Sequence, residues 1–239
     1  MKHFLAAFPP NKLAPGDVLI TNDPWMTAGQ INDITITTPF FKDGQLVALF
    51  ANTCHSADIG GRILSAEARE VFEEGLRLPI MKLFDRGEPN QVLMQIVRVN
   101  VRQPDEVIGD FYAQTASNDA GGRALLEMME EFGLDSIDHV AEEIIRRSEQ
   151  AVRGEIAKLP DGEWSNETWS DGFEEPILIR CTVRVAGMRF SLTSAAPRRR
   201  ARGESTSFST TRMLTRASPL KLRSVPMCRT TREALGRCM

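Results

Sequence analysis

The side chains that could perform chemistry are concentrated in the first quarter of this 239-residue chain. They are three carboxylates, one amide and one imidazole: Asp23, Gln30, Asp33, His55 and Asp58. A carboxylate and an imidazole that converge are donors suited to a divalent metal such as Zn or Mn. The structural alternative is that the carboxylates cap turns and that His55 makes an ordinary hydrogen bond.

Two strand-like runs, 34–41 and 46–52, must position these residues. The sequence Lys-Asp-Gly-Gln joins them, and Asp-Gly is the dipeptide that a type I′ hairpin turn prefers. Asp33 comes just before the first run and His55 just after the second. Antiparallel pairing therefore predicts that both side chains lie at the same edge of a sheet.

Five strings of this sequence resemble the hydantoinase B/oxoprolinase family, in order along the chain from about residue 13 to residue 190. They are TNDPW, NDI before TITTP, NTCHSADIGG, FEEGLRLPIMKL and NVRQPDEVIGDFYAQTASN. The resemblance implies a metal-bearing subunit that works with an ATP-using A-type subunit. Such a pair opens a cyclic amide, hydantoin or 5-oxoproline, whereas acetone carboxylase relatives carboxylate a ketone.

The family's metal motif is His-x-x-Asp in a first loop and a His followed by Ala-Asp-Ile-Gly-Gly in a second. Asp33, His55 and Asp58 match this motif, and Gln30 stands where the first-loop His is usual. The resemblance thus implies metal ligands at Asp33, His55, Asp58 and Gln30. We further expect Asp23 to orient these ligands through hydrogen bonds without binding the metal itself. Because Gln is a poor ligand beside an imidazole, the alternative is a non-catalytic remnant that only binds the partner subunit.

Composition and motifs exclude several classes of protein. With 42% hydrophobic and 26% charged residues, the chain has an ordinary globular composition. No apolar run approaches the ~18 residues of a membrane span. Four cysteines without a CxxC pair fit a reducing compartment, which predicts a cytoplasmic protein. There is no Walker A loop and no GxGxxG, so ATP is expected on the partner subunit.

The hydrophobic pattern predicts an α+β fold. We expect a β-rich region with the metal motif over 1–100, a helical hairpin over 101–159, the start of a second, incomplete β region over 160–190 and a tail over 191–239. Within the second β region we expect strands at 163–169 and 177–185, with Trp164, Trp169 and Cys181 in the core.

Capping signals place the helices more closely. We expect a helix over 65–75 with Ser65 as N-cap and Gly75 as its end, and another over 90–99 with Val92, Leu93, Ile96 and Val97 on its apolar stripe. Pro104 begins the hairpin, whose first helix Gly121-Gly122 loosens or breaks. Gly133 ends that helix, and Asp135 caps the next, whose apolar stripe runs from Ile137 to Ile156.

Residues 191–239 differ from the rest of the chain. Ten Arg and one Lys against two acidic residues give this segment a net charge of +9. One interpretation is a basic, disordered arm that binds nucleic acid. The other is a frameshift near Phe190, because codon degeneracy in a shifted frame allows Asp-Val-Pro-His-Asn-Glu-Gly over 226–236, which is similar to the family's continuation. The frameshift predicts no nucleic-acid partner and a disordered or poorly packed segment.

Overall fold

The computed structural model of the chain describes residues 1–62, 68, 70–171, 175–199 and 205–210. Two compact units, Met1–Ile137 and Asp138–Met239, divide the chain. The division lies between the two helices of the predicted hairpin. Among the described helices, none is both long and apolar enough to cross a membrane.

The first unit is a five-stranded antiparallel sheet with helices. Its elements in chain order are α1 (Lys2–Ala7), a 3-10 turn (Pro10–Lys12), β1 (Val18–Thr21), β2 (Asp33–Lys42), β3 (Gln45–His55), α2 (Val71–Glu74), β4 (Met81–Asp85), β5 (Glu88–Pro89), α3 (Gln91–Asn100) and α4 (Pro104–Glu131). The strand order is β3-β2-β1-β4-β5. Helix α4 packs against β2 and β3, and the predicted α+β class is confirmed.

The hairpin that carries the candidate residues forms as predicted. Strands β2 and β3 are joined by Asp43 and Gly44, whose φ angles of 50° and 76° are those of a type I′ turn. The register pairs Asp33 with His55 at the end opposite the turn. The local turn chemistry therefore fixes which residues meet at the sheet edge.

Helix α3 lies where it was predicted, but the face that it buries differs from the predicted apolar stripe. The side chain of Asn90 accepts a hydrogen bond from the Leu93 N–H at 3.1 Å and so caps the helix. Leu93 and Val97 are buried in the main hydrophobic cluster. Val92 and Ile96 are instead 67% and 42% exposed, because α3 buries the face that also carries Met94.

Helix α4 runs without a break across Gly121-Gly122, where a break or loosening was predicted. A Cβ added at Gly122 would lie 2.0 Å from Phe40 Cζ, and one at Gly121 would lie 2.9 Å from Phe50 Cε1. The two glycines thus let the helix approach the aromatic side chains of β2 and β3. Their physical role is close packing, which sequence periodicity does not reveal.

Two predicted helix starts also change. Helix α2 spans only Val71–Glu74, and it ends at Gly75 as predicted, with φ of 139°; the predicted cap Ser65 lies outside the described residues. Helix α5 (Asp138–Ile156) begins three residues after the predicted cap Asp135. The end of α4 is confirmed, since Gly133 has the left-handed φ of 62°.

The second unit contains helix α5 and an antiparallel sheet. The strands are β6 (Gly162–Ser170), β7 (Ile177–Ala186), β8 (Arg189–Arg199) and β9 (Ser205–Thr210), in the order β6-β7-β8-β9. The predicted strands 163–169 and 177–185 are confirmed as parts of β6 and β7. Residues 191–199 and 205–210 form strands, so the predicted disorder is not found in these two segments. The other tail residues, 200–204 and 211–239, lie outside the described part of the chain.

Burial in this unit differs from the sequence pattern. Trp164 and Trp169 are 48% and 67% exposed because β6 is an edge strand whose residues are nearly all exposed. Cys181 is half-buried. On α5 only Ile156 is buried, whereas Ile144 is 60% exposed. The predicted core positions of Trp164 and Trp169 are therefore wrong, and most of the apolar stripe of α5 is exposed in this unit.

Candidate functional site

Asp33 and His55 form a hydrogen-bonded pair at the open edge of the first sheet. The distance from His55 Nδ1 to Asp33 Oδ1 is 2.9 Å. The imidazole side chain is 53% exposed and the carboxylate 20% exposed. When Nδ1–H donates to the carboxylate, the lone pair of His55 Nε2 is left free to accept a proton or bind a metal.

Hydrogen bonds between neighbouring loops hold the pair in place. The backbone N–H of Ser56 donates to Asn32 O at 2.8 Å, and the Asn32 side chain donates to Ser56 O at 3.2 Å. These bonds join the residue before Asp33 to the residue after His55. The ladder between β2 and β3 therefore continues one step beyond the strands, which limits motion of both side chains.

Two threonines lie next to the pair on the same strands. Thr35 and Thr53 pair in the register, and their Oγ1 atoms are 2.8 Å apart. Because side chains alternate along a strand, Asp33 and Thr35 share a face, as do His55 and Thr53. A bonded pair of hydroxyl groups thus lies in the next cross-strand pair, on the same faces of the strands as Asp33 and His55.

Asp58 takes part in a different arrangement. Its carboxylate accepts hydrogen bonds from the Gly60 N–H at 2.9 Å, the Gln103 N–H at 3.1 Å, and Nη1 and the backbone N–H of Arg102. Burial raises the pKa of Asp58, but these hydrogen bonds outweigh it and hold the pKa below its usual value. The carboxylate secures the loop that precedes α4.

The other two predicted residues also point to local roles. Gln30 is exposed, and its backbone carbonyl oxygen accepts a hydrogen bond from the Asp33 N–H at 3.2 Å. Asp23 is buried, and its carboxylate accepts from Arg77 Nη2 at 2.7 Å and from the Trp25 N–H at 3.0 Å. In the described part of the chain no three His, Cys, Asp or Glu side chains come together as a metal site. Of the predicted ligands, the structure brings together Asp33 and His55.

Two residues of this edge were not predicted from the sequence. The side chain of Asn22 donates to Ile31 O at 2.8 Å and to Leu76 O at 2.9 Å, and its Oδ1 accepts the Leu78 N–H at 2.6 Å. Arg77 lies over the ring of Trp25, with Cζ 5.3 Å from the centroid. The available signal was the string TNDPW, an Asn and an Asp at a strand end.

The thiol of Cys54 is not paired with the neighbouring imidazole. Cys54 is exposed, and its Sγ lies 3.9 Å from the carbonyl oxygen of His55. The ring of His55 is directed to Asp33. Adjacent residues on a strand point to opposite faces, which separates the two groups.

Comparison with known proteins assigns this arrangement to a family. A family model described as hydantoinase B/oxoprolinase matches residues 1–217. The chain belongs to the hydantoinase B/oxoprolinase family. The resemblance predicted from the motifs is confirmed, and the match continues past Phe190.

Relatives within the hydantoinase B/oxoprolinase family are about 30% identical to this chain over the aligned residues. A putative D-/L-hydantoinase subunit from a Pseudomonas species is 32% identical over 195 residues, which are 76% of this chain and 33% of the relative. The crystal structure of ATP-dependent caprolactamase from Pseudomonas jessenii superposes with a TM-score of 0.73 at 28% identity, covering 79% of this chain and 34% of that one. This chain therefore spans about a third of the length of these relatives.

The fold extends to a more distant enzyme. A nucleotide-free structure of acetone carboxylase matches with a TM-score of 0.67 at 15% identity, over 80% of this chain and 27% of that chain. At this identity the likeness concerns the fold alone. The hydantoinase B/oxoprolinase assignment rests on the family model and on the closer sequences.

Proposed function

We propose that this chain is part of an ATP-dependent enzyme that hydrolyses a cyclic amide, hydantoin or 5-oxoproline, and that Asp33 and His55 lie in its hydrolytic site. The observation that carries the proposal is the 2.9 Å contact between an exposed imidazole and a carboxylate at an open sheet edge. Relatives described as a hydantoinase subunit, a caprolactamase subunit and a 5-oxoprolinase support the choice of reaction.

The geometry assigns separate roles to the two side chains. Hydrolysis of an amide needs a water oxygen to attack the carbonyl carbon and a proton to reach the leaving nitrogen. His55 Nε2 accepts the proton of the attacking water and returns it to the ring nitrogen as the C–N bond breaks. Asp33 holds Nδ1–H, fixes the tautomer and stabilises the imidazolium that forms.

The ATP-dependent step is assigned to a partner. The sequence contains no Walker A loop. Two relatives are named as subunits, one of a hydantoinase and one of a caprolactamase, and these names imply a further subunit in those proteins. We propose that ATP binds to an A-type subunit, which activates the amide. This chain alone is then inactive.

The predicted Zn or Mn does not fit the described residues as a complete site. A catalytic Zn commonly has three protein ligands. Here the lone pair of His55 Nε2 can bind a metal, because Nδ1 of the same ring is bonded to Asp33. The Asp58 carboxylate already accepts hydrogen bonds from Arg102 and from backbone N–H groups. Metal binding at Asp33, His55, Asp58 and Gln30 stays a prediction, and the steps above use no metal.

The test is an assay with both subunits. The full chain is co-expressed with the A-type subunit of the same organism, and ATP-dependent ring opening of hydantoin and 5-oxoproline is measured for the wild type and His55→Ala. We expect activity that the substitution abolishes, whereas full activity in His55→Ala would overturn the assignment. Metal analysis of both proteins decides whether His55 holds a metal.

The same preparation separates the rival functions. A non-catalytic subunit would bind the partner and show no turnover of either cyclic amide. A carboxylase would consume acetone in a bicarbonate-dependent reaction and leave hydantoin intact. Either outcome replaces the proposed hydrolysis.

A further inference from the structure

A second polar group at this sheet edge, the guanidinium of Arg77, has no role in the hydrolysis described above. Its Nη2 donates to Asp23 Oδ2 at 2.7 Å, and its Cζ lies 5.3 Å from the centre of the Trp25 ring. The Asp23 side chain is 5% exposed, whereas that of Arg77 is 41% exposed. Two contacts thus fix the guanidinium while part of it faces solvent.

The backbone around Arg77 is held as firmly as its side chain. Asn22 bonds the carbonyl of Leu76 and the N–H of Leu78, and the Thr21 hydroxyl donates to Leu78 O at 2.8 Å. Both neighbours of Arg77 are therefore tied to the end of β1. A guanidinium on such a support loses little conformational entropy when it binds a ligand.

The same hydrogen bonds connect Arg77 to the candidate site. Asn22 also donates to Ile31 O, two residues before Asp33. The Leu76 N–H donates to Ile59 O at 2.8 Å, four residues after His55. In addition Thr21, the last residue of β1, pairs with Thr35 of β2, and Thr35 lies two residues after Asp33 on the same strand. Arg77 lies in the loop before β4 and is bonded to Asp23 just after β1, so it lies at the same end of the first sheet as Asp33 and His55.

We propose that Arg77 selects cyclic amides that carry a carboxylate on the ring, an inference that rests on the proposed hydrolysis of a cyclic amide. A planar guanidinium offers five N–H donors, and only one nitrogen is bound to Asp23. Arg77 Cζ lies 5.3 Å from the centre of the Trp25 ring and the side chain is 41% exposed, so N–H donors that are not bonded to Asp23 remain for a planar anion. The buried Asp23 orients the group, while the fork of N–H donors recognises the carboxylate.

The experiment compares three probes on the full chain by isothermal titration. 5-Oxoproline is a five-membered lactam with a carboxylate, 2-pyrrolidinone is the same ring without it, and succinate is a carboxylate without a lactam. The variants are Arg77→Gln and Arg77→Lys. The matched control is Arg98→Gln, since Arg98 on α3 is 50% exposed and bound to Asp105 at 2.8 Å.

We expect the wild type and Arg98→Gln to bind 5-oxoproline at least tenfold more tightly than 2-pyrrolidinone. Arg77→Gln should bind the two lactams equally, with its affinity for 2-pyrrolidinone unchanged. Arg77→Lys keeps a charge beside Asp23 and the fold but loses the planar fork, so its preference should fall between those of the other proteins. An unchanged preference in Arg77→Lys and Arg77→Gln, or no preference in the wild type, would overturn the proposal.

Succinate distinguishes this proposal from the proposed reaction. If Arg77 binds carboxylates but the protein does not act on cyclic amides, succinate and 5-oxoproline bind equally and both depend on Arg77. If the reaction is right and the role of Arg77 is wrong, both lactams bind alike in every variant. Failure of the wild type to bind any probe counts against the role of Arg77.

Discussion

His55 Nδ1 and Asp33 Oδ1 are 2.9 Å apart although 22 residues separate them in the chain. The two residues are cross-strand partners in the register of β2 and β3. The contact is therefore set by the hairpin and by its type I′ turn. A dyad built on paired strands is held more rigidly than one built on two loops.

Replacing either member of the pair should remove activity and leave the fold intact. We expect Asp33→Asn and His55→Gln to lower kcat of the two-subunit enzyme by about 10²–10⁴-fold, because each removes the oriented base. The control is Cys54→Ser, which changes an exposed neighbour that does not touch the imidazole ring. Steady-state kinetics measures kcat, and circular dichroism shows whether the fold is retained. An equal loss of kcat in Cys54→Ser would contradict a specific role of Asp33 and His55.

Gly122 should be essential for packing of α4 on the sheet. Its added Cβ would lie 2.0 Å from Phe40 Cζ, so we expect Gly122→Ala to lower the free energy of unfolding by about 1–3 kcal/mol despite the better helix propensity of Ala. The control is Gly109→Ala on the same helix, where a Cβ meets nothing within 4 Å. This control should gain about 0.5–1 kcal/mol in urea unfolding. Similar results for the two variants would show that the close approach is not required.

The stability that Asp58 contributes to the fold should decrease as the pH is lowered. Its pKa is lowered in the folded chain, where burial is outweighed by hydrogen bonds from Gly60, Arg102 and Gln103. A depressed folded pKa contributes stability above the unfolded pKa of about 4, and this stability is lost as the pH falls through the folded pKa.

We therefore expect Asp58→Asn to be less stable than the wild type by about 1–3 kcal/mol at neutral pH, with the difference shrinking below about pH 4. Asp105→Asn is the control, because that carboxylate is 90% exposed. Denaturant unfolding at several pH values gives the difference directly. A constant difference between the wild type and Asp58→Asn across this range would contradict the assignment.

Thr37 should tolerate loss of its hydroxyl. The residue is fully buried in β2, and its Oγ1 has no hydrogen-bond partner among the described residues. We expect Thr37→Val to keep or raise the free energy of unfolding by up to about 1 kcal/mol, since an unsatisfied buried hydroxyl is removed. Thr35→Val on the same strand breaks the contact with Thr53 and should be less stable than Thr37→Val. The reverse order in thermal unfolding would indicate that Thr37 binds a group that the chain itself does not supply.

The reading frame of the tail can be decided by sequencing the gene from codon 190 onward. We predict an interruption near Phe190, because codon degeneracy in a shifted frame allows strings similar to the family's continuation. An intact frame with codons that cannot encode those strings would refute the frameshift.

The sequence by itself determined the parts that depend on short-range signals. The Asp-Gly turn fixed the hairpin and the meeting of Asp33 with His55, and Asn90 fixed the start of α3. These features follow from backbone preferences and capping bonds within a few residues, which a single sequence displays. The family motifs were equally legible, since they are contiguous strings.

Only the tertiary structure decided the features that depend on distant partners. Asp58 reads as a ligand in its motif, yet Arg102, 44 residues away, binds its carboxylate. Gly121-Gly122 reads as a helix break, yet Phe40 and Phe50 pack against it. Arg77 gained its position from Asp23, 54 residues earlier. For the two glycines the local preference against a helix is worth about 1 kcal/mol per residue, and packing on Phe40 and Phe50 outweighs it. For Asp58 and Arg77 the sequence carries no local sign of the distant partner.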